Sequence, residues 1–163
     1  MPDAARHGVF LTATLCVAEV LTLVGVFTFP ALLPVFFDEW DLSYTEAGWI
    51  AGIYFGANAA VVGVMVSLTD RVDARHIYLF GAALAAIGSA GFALFAEGFW
   101  TALAFRAVAG MGLAGTYMPG LRALTDRYEG RHQARAVAVY TGTFSLGTAT
   151  SFLVAGQVAA MAA

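Results

Sequence analysis

Phe99-Trp-Thr-Ala-Leu-Ala-Phe-Arg106-Ala-Val-Ala-Gly110-Met-Gly112-Leu-Ala-Gly115-Thr-Tyr-Met-Pro-Gly120 is an apolar run of helical length interrupted by one charge. About twenty apolar residues are what a helix needs to cross a hydrocarbon core of about 30 Å. An arginine near the middle of such a helix costs about 2.5–3.5 kcal/mol on insertion scales, so it faces a partner or a watery cavity. The whole chain has the composition that such a run demands. Of its 163 residues 60% are hydrophobic and 12% charged, with a mean hydropathy of +0.77. That is too little charge to solvate a soluble domain of this size, and lipid is the expected solvent.

Breaks in hydropathy mark apolar stretches at residues 9–37, 45–68, 77–95, 100–121 and 136–161. Each is long enough to span, and the first is long enough to tilt or to kink at Pro30 and Pro34. The expected architecture is therefore all-α: a polytopic transmembrane bundle of about five helices forming one domain over residues 1–163. A cleaved signal peptide does not fit the first stretch, which is about twice the length of a signal core and contains Glu19.

The chain has no lysine, and apart from Arg106 its arginines are Arg6, Arg71, Arg75, Arg122, Arg127, Arg131 and Arg135, all in alternate connections. The opposite connections hold Asp38, Glu39, Asp41 and Glu97, with Glu46 just inside the second helix. The net charge of −3 matters less than this placement. The positive-inside rule puts the N-terminus and the loops 70–76 and 122–135 in the cytoplasm, and the C-terminal end of the chain outside, in a cell (inner) membrane. Trp40, Trp49 and Trp100 then form a belt at the outer interface.

Several chemistries are disfavoured. Cys16 is the single cysteine and lies in the first apolar run, so neither a disulfide nor a cysteine metal site is expected. His7, His76 and His132 sit at helix ends without metal-ligand spacing. Ser89, Ser145 and Ser151 are nucleophiles at membrane depth with no base beside them, so intramembrane proteolysis is not expected, nor any other enzyme activity. Residues 110–115 spell GxGxxG, but without a preceding strand or a helix opening at the glycines this is no dinucleotide site. A chain without lysine also has no P-loop. No cofactor and no nucleic-acid partner are expected.

Ser43 and Glu46 have the spacing of a capping box, which starts the second helix near Tyr44. Gly52 and Gly56 follow at GxxxG spacing, then Ala60 and Gly63, and Ala82, Ala86 and Ala90 continue the small-residue theme, so close helix packing is expected there as well as at Gly110, Gly112 and Gly115. Residues 68–76 and 124–132 share six of nine positions, Leu-Thr-Asp-Arg and Arg-His, and each places an acid and arginines where one helix ends and the next begins. Such charges can lock neighbouring helix ends at the membrane surface, or serve topology alone.

Glu19 is the one acid inside an apolar run. At about 1.5 Å per residue it lies about 15 Å from the cytoplasmic side, and Arg106 about 9 Å from the outer end of its helix, so their depths differ by about 6 Å. Pairing, direct or through water, would lower the cost of burying both. Such a pair can be purely structural, or Glu19 can load and release a proton.

These residues resemble the N-terminal half of a major facilitator superfamily transporter. Arg106, Gly110 and Gly112 match the family's fourth-helix pattern RxxxGxG, and Leu68, Asp70, Arg71 and Arg75 match its first inner loop, GxLaDRxGRR. The loop departs at Val66 and Asp73, where the family has glycines, and at Ala74, where it has a basic residue. Gly142 and Gly147 are similar, more weakly, to a glycine-rich family segment in the fifth helix. The resemblance implies two halves of six helices around a site reached alternately from each side. It implies secondary transport of a small solute, anionic in one reading, with Arg106 orienting the substrate or the coupling carboxylate and Glu19 carrying the proton. On that pattern the chain stops after a fifth helix, and a C-terminal half or a complementary chain would complete the pathway. The alternative is a non-transporting bundle or subunit in which Arg106 and Glu19 only hold helices together.

Overall fold

The structure, a computed structural model, describes the backbone of residues 2–162 and the side chains of residues 8–160, so the side chains of Arg6 and His7 lie outside it. All regular structure among the described residues is helical. The first traverse consists of α1 (Pro2–Leu23), a single turn α2 (Thr28–Ala31) and α3 (Leu33–Trp40). Four long helices follow: α4 (Tyr44–Leu68), α5 (Ala74–Phe95), α6 (Phe99–Thr125) and α7 (Gly130–Ala162).

The stretch 9–37 is thus not one tilted or kinked helix. It breaks at residues 24–27, before either proline. Pro30 is the physical cause: it has no N–H to offer the Val26 carbonyl four residues earlier, and its ring crowds that carbonyl. Pro34 does no such damage, because it lies in the first turn of α3, where the missing N–H has no intrahelical acceptor. Asp41 ends α3 with φ 47°, a left-handed conformation that a short polar side chain tolerates.

The remaining boundaries have local causes. The capping box at the start of α4 is formed: the Glu46 N–H donates to Ser43 Oγ at 3.3 Å, and the Ser43 N–H donates to the Glu46 carboxylate at 2.9 Å. Asp73, standing at a glycine of the family loop, caps α5 by accepting from the Arg75 N–H at 2.8 Å. Gly130 begins α7 at φ 56°, the left-handed turn that lets the chain reverse after α6.

The α3–α4 and α5–α6 connections lie at the tryptophan end, where α2 and α3 fold over Phe92 through a cluster of Phe29, Phe36 and Trp40. The α4–α5 and α6–α7 connections lie at the arginine end. Trp49 and Trp100 are exposed, as are Phe10, Leu21, Phe55, Ile87, Leu94 and Leu153, a surface suited to lipid. Among the described residues three helical segments are long and apolar enough to cross a membrane: Tyr44–Leu68, Ala74–Phe95 and Gly130–Ala160. At 27 residues α6 is about 40 Å long and also sufficient in length. It is the helix the others enclose, with Arg106, Gly110, Gly112, Gly115 and Thr116 all buried on it.

Glycine determines how α6 is enclosed. On one side Gly112 lies against the Ala85 backbone, Gly115 against Gly81, and Gly88 of α5 against Ala109, so closely that a methyl group at any of these glycines would collide with backbone. On another side Gly110 lies under the Tyr54 carbonyl of α4. These are the close approaches small residues permit where hydrocarbon gives helices no other reason to associate. Gly52 and Gly56 do not take part: a Cβ at either, or at Gly63, would meet open space, so the α4 GxxxG spacing makes no contact within this chain. Residue spacing alone could not say which face of α4 turned inward.

The two sets of glycines should respond with opposite signs. Gly112→Ala is expected to lower stability by about 1–3 kcal/mol through overpacking. Gly52→Ala should be neutral or stabilising by up to about 1 kcal/mol, because alanine is the better helix former and nothing is in its way. Denaturation of the purified protein in detergent measures both. Equal effects would contradict the packing described.

Candidate functional site

The break at 24–27 leaves backbone groups without helical partners deep in the bundle, and each must be satisfied by something else. Two side chains from other helices do most of this, and Thr28 Oγ1 adds a long bond to the Val24 carbonyl at 3.5 Å. Arg106 on α6 donates from Nη1 to the Val26 carbonyl at 2.8 Å and, more weakly, to the Gly25 carbonyl at 3.4 Å. Ser151 on α7, fully buried, accepts from the Phe27 N–H at 2.9 Å and donates to the Val24 carbonyl at 2.6 Å. Its hydroxyl spans the break, which accounts for a serine that the sequence left as a nucleophile without a base.

Arg106 is itself buried, only 3% exposed. Its guanidinium carbon lies 4.7 Å from the centroid of the Tyr54 ring, a cation–π contact. Gly110, one helical turn later and so on the same face, is the glycine that receives the Tyr54 carbonyl. One residue of α4 therefore explains both fixed points of the Arg-x-x-x-Gly spacing: the arginine covers its ring and the glycine makes room for its backbone. Arg106 Nε has no protein partner.

Glu19 lies about one turn before the break and has no exposed surface. Tyr140 of α7 donates to its Oε2 at 3.0 Å, while Oε1 has no protein partner. Of the pairing with Arg106 expected directly or through water, the direct form is not made: among the described residues the ion pairs are Arg122–Asp70 and Arg122–Asp126. The break is the reason. Its freed carbonyls and the Tyr54 ring take the guanidinium, and the carboxylate turns to α7 instead. Tyr140 also lies against Gly120, where the ring of Tyr78 from α5 meets the same point.

At the arginine end the inner loop is tied to α6. Arg122 Nη1 donates to Asp70 Oδ1 at 2.6 Å and to Thr69 Oγ1 at 3.0 Å, and its Nε lies 3.8 Å from Asp126. Of the loop residues read from the sequence, Asp70 thus reaches a second helix, Arg75 takes part through its backbone at the α5 cap, and Leu68 and Arg71 are exposed. The pair is solvent-facing, so its net worth is about 0–1 kcal/mol, and its value is in fixing which helix ends meet. The partners that sequence reasoning missed, Tyr54, Tyr140, Ser151 and Arg122, are ordinary residues at ordinary helical positions. The one available signal was chemical: a proline within an apolar run announces a carbonyl in need of a donor.

Irregular backbone at membrane depth survives only against protein or a cavity, and a polytopic bundle that gathers a buried arginine, a buried carboxyl and a broken helix at its centre has the character of a transport protein. The chain belongs to the major facilitator superfamily, whose family model matches residues 15–162. It is 27% identical over 140 residues to the uncharacterized MFS-type transporter YcaD of Escherichia coli O139:H28 (strain E24377A / ETEC), and equally to the YcaD proteins of strains O9:H4 (HS) and K12 / DH10B. The matched region is 85% of this chain and 36% of each relative, so the chain spans about a third of the length of these curated relatives. No solved structure matches it. The family is one of multi-pass membrane transporters rather than enzymes.

Ser151→Ala should cost about 1–3 kcal/mol, because it leaves the Phe27 N–H without its acceptor and the Val24 carbonyl with only a long bond from Thr28 Oγ1. Ser145→Ala removes a hydroxyl that spans no break and should change stability little. Parallel unfolding curves of the two variants in detergent decide between this role and a passive one.

Proposed function

We infer that this chain forms part of a secondary active transporter of a small solute, driven by proton or ion coupling and working by alternating access. Membership of the family supports transport in general, and one observation supports the coupling: Glu19 is completely buried, hydrogen-bonded by a neutral phenol, and in no ion pair among the described residues. An ionised carboxylate in such surroundings is costly and a protonated one is not, so the natural use of the site is to bind a proton when closed and to lose it when opened to water. The arginine-bearing end is cytoplasmic in this reading, by the distribution of arginine between connections.

Arg106 then serves the break and not the carboxyl directly. By holding the carbonyls of residues 25 and 26 it fixes the start of α2 relative to Glu19, and a change in helix packing that disturbs one disturbs the other. Both of its hydrogen bonds come from Nη1, so its remaining N–H groups are the donors left for a substrate, and an anionic group would suit them best. The relatives are nearly three times as long as the matched region, so in this reading further sequence, or a second chain, supplies the rest of the pathway. The substrate-selecting contacts are shared with that part.

The test is Glu19→Gln in the full-length protein reconstituted in liposomes. The variant should insert and fold, because glutamine can still accept from Tyr140, while proton movement coupled to substrate is lost. Coupled proton movement at the wild-type rate would assign Glu19 a structural role and remove the reading.

A further inference from the structure

Among the described residues, two buried polar side-chain atoms besides Arg106 Nε have no protein partner: Glu19 Oε1 and the hydroxyl of Tyr78. They are neighbours in a chain of contacts. Tyr140 donates to Glu19 Oε2. The Tyr140 hydroxyl and the Tyr78 ring edge both press on the space above Gly120, the ring's Cε2 lying 3.1 Å from where a Cβ would stand. Glycine at 120 is therefore what lets the two phenols meet. Tyr78 also lines a pocket of about 440 Å³ at the arginine end between α1, α5 and α6, with Asp73, Arg75, Asp126 and Arg127 among its polar lining.

We propose that Tyr78 is the relay through which Glu19 exchanges its proton with water in this pocket. The proposal rests on the reading of Glu19 as the proton carrier and adds the route. In the loading direction a water that enters from the pocket past the Tyr78 ring, recharged from bulk, passes a proton to the Tyr78 oxygen, which this structure holds out of solvent. The phenolic proton that Tyr78 already carries passes on to Glu19 Oε1, directly or across one bridging water. Tyr78 ends as a neutral phenol and Glu19 as a neutral acid, and rotation of the hydroxyl resets the relay. Buried hydroxyls and carboxyls without protein partners are the places where such bridging waters sit. The other titratable groups facing this cluster do not compete for the role. Cys16 on α1 lies toward Thr143, Tyr54 on α4 is covered by Arg106 of α6, Tyr117 on α6 stacks on Tyr140 and offers that residue its carbonyl, and Tyr140 on α7 already spends its proton on Glu19.

A hydroxyl with no protein partner contributes nothing to folding, so Tyr78→Phe should leave thermal stability unchanged or raised. A purely structural tyrosine would show only that. The experiment uses the full-length protein in a supported bilayer, a pH step as the probe, and infrared difference spectroscopy of the protonated-carboxyl band, which Glu19→Gln assigns by removing it. Tyr78→Phe is expected to slow the rise of that band about tenfold or more. Ala123→Phe, which fills the pocket from α6 and leaves Tyr78 intact, should slow it as well and decides the matter alone if Tyr78→Phe does not fold. A Glu19 band that rises within about twofold of the wild-type rate in the folded variants overturns the relay while leaving Glu19 as carrier. The absence of any Glu19-dependent band in the wild type overturns the carrier and the relay together.

Discussion

The hydrogen bond from Arg106 to the Val26 carbonyl is the constraint on which the rest of the bundle depends. A carbonyl freed by Pro30 and an arginine on the enclosed helix are each expensive at membrane depth. Together each removes the other's cost, and the contact joins the helix that breaks to the helix that the others enclose. Ser151 completes the repair from α7 by taking the remaining donor and acceptor across the gap. Without these two side chains the break would have no place inside a bundle. With them it becomes a fixed point around which α1, α6 and α7 are arranged.

Close packing follows from the same helix. Arg106 and Gly110 fall on one face of α6 and both engage Tyr54, which sets the depth of α4, while Gly112 and Gly115 meet α5 on another face. The glycine pattern after the arginine is thus a packing code with two addresses. It leaves the polar residues concentrated where α1 meets α7, with Glu19 held by Tyr140 a turn from the break. The carboxyl and the break thus lie about one turn apart on the same stretch of chain.

Helix type and the grouping of charge at alternate ends were legible because hydropathy and arginine placement are one-dimensional signals that lipid enforces strongly. The capping box at Ser43 was legible for a related reason, since its two partners are three residues apart. What depended on three dimensions was not. Glu19 and Arg106 looked like partners because depth along the membrane normal can be estimated from sequence, whereas the direction in which each side chain turns around its helix cannot. Gly52 and Gly56 have the same spacing as a contact motif, yet only the folded chain shows that they face outward. Pro30 was read as a bend, and the consequence of its missing N–H, a carbonyl that attracts the nearest buried cation, was present in the chemistry without a visible partner.

Arg106 spends its charge on the broken first helix and on Tyr54, and makes no direct contact with Glu19. A pair of double-mutant cycles on unfolding free energy in detergent tests it most directly. Arg106→Gln with Tyr54→Leu should show a coupling of about 0.5–2 kcal/mol, the range of a desolvated cation–π contact. Arg106→Gln with Glu19→Gln should show a coupling below about 0.5 kcal/mol, the value for groups that share no contact. The reverse result, strong coupling to Glu19 and none to Tyr54, would contradict the account.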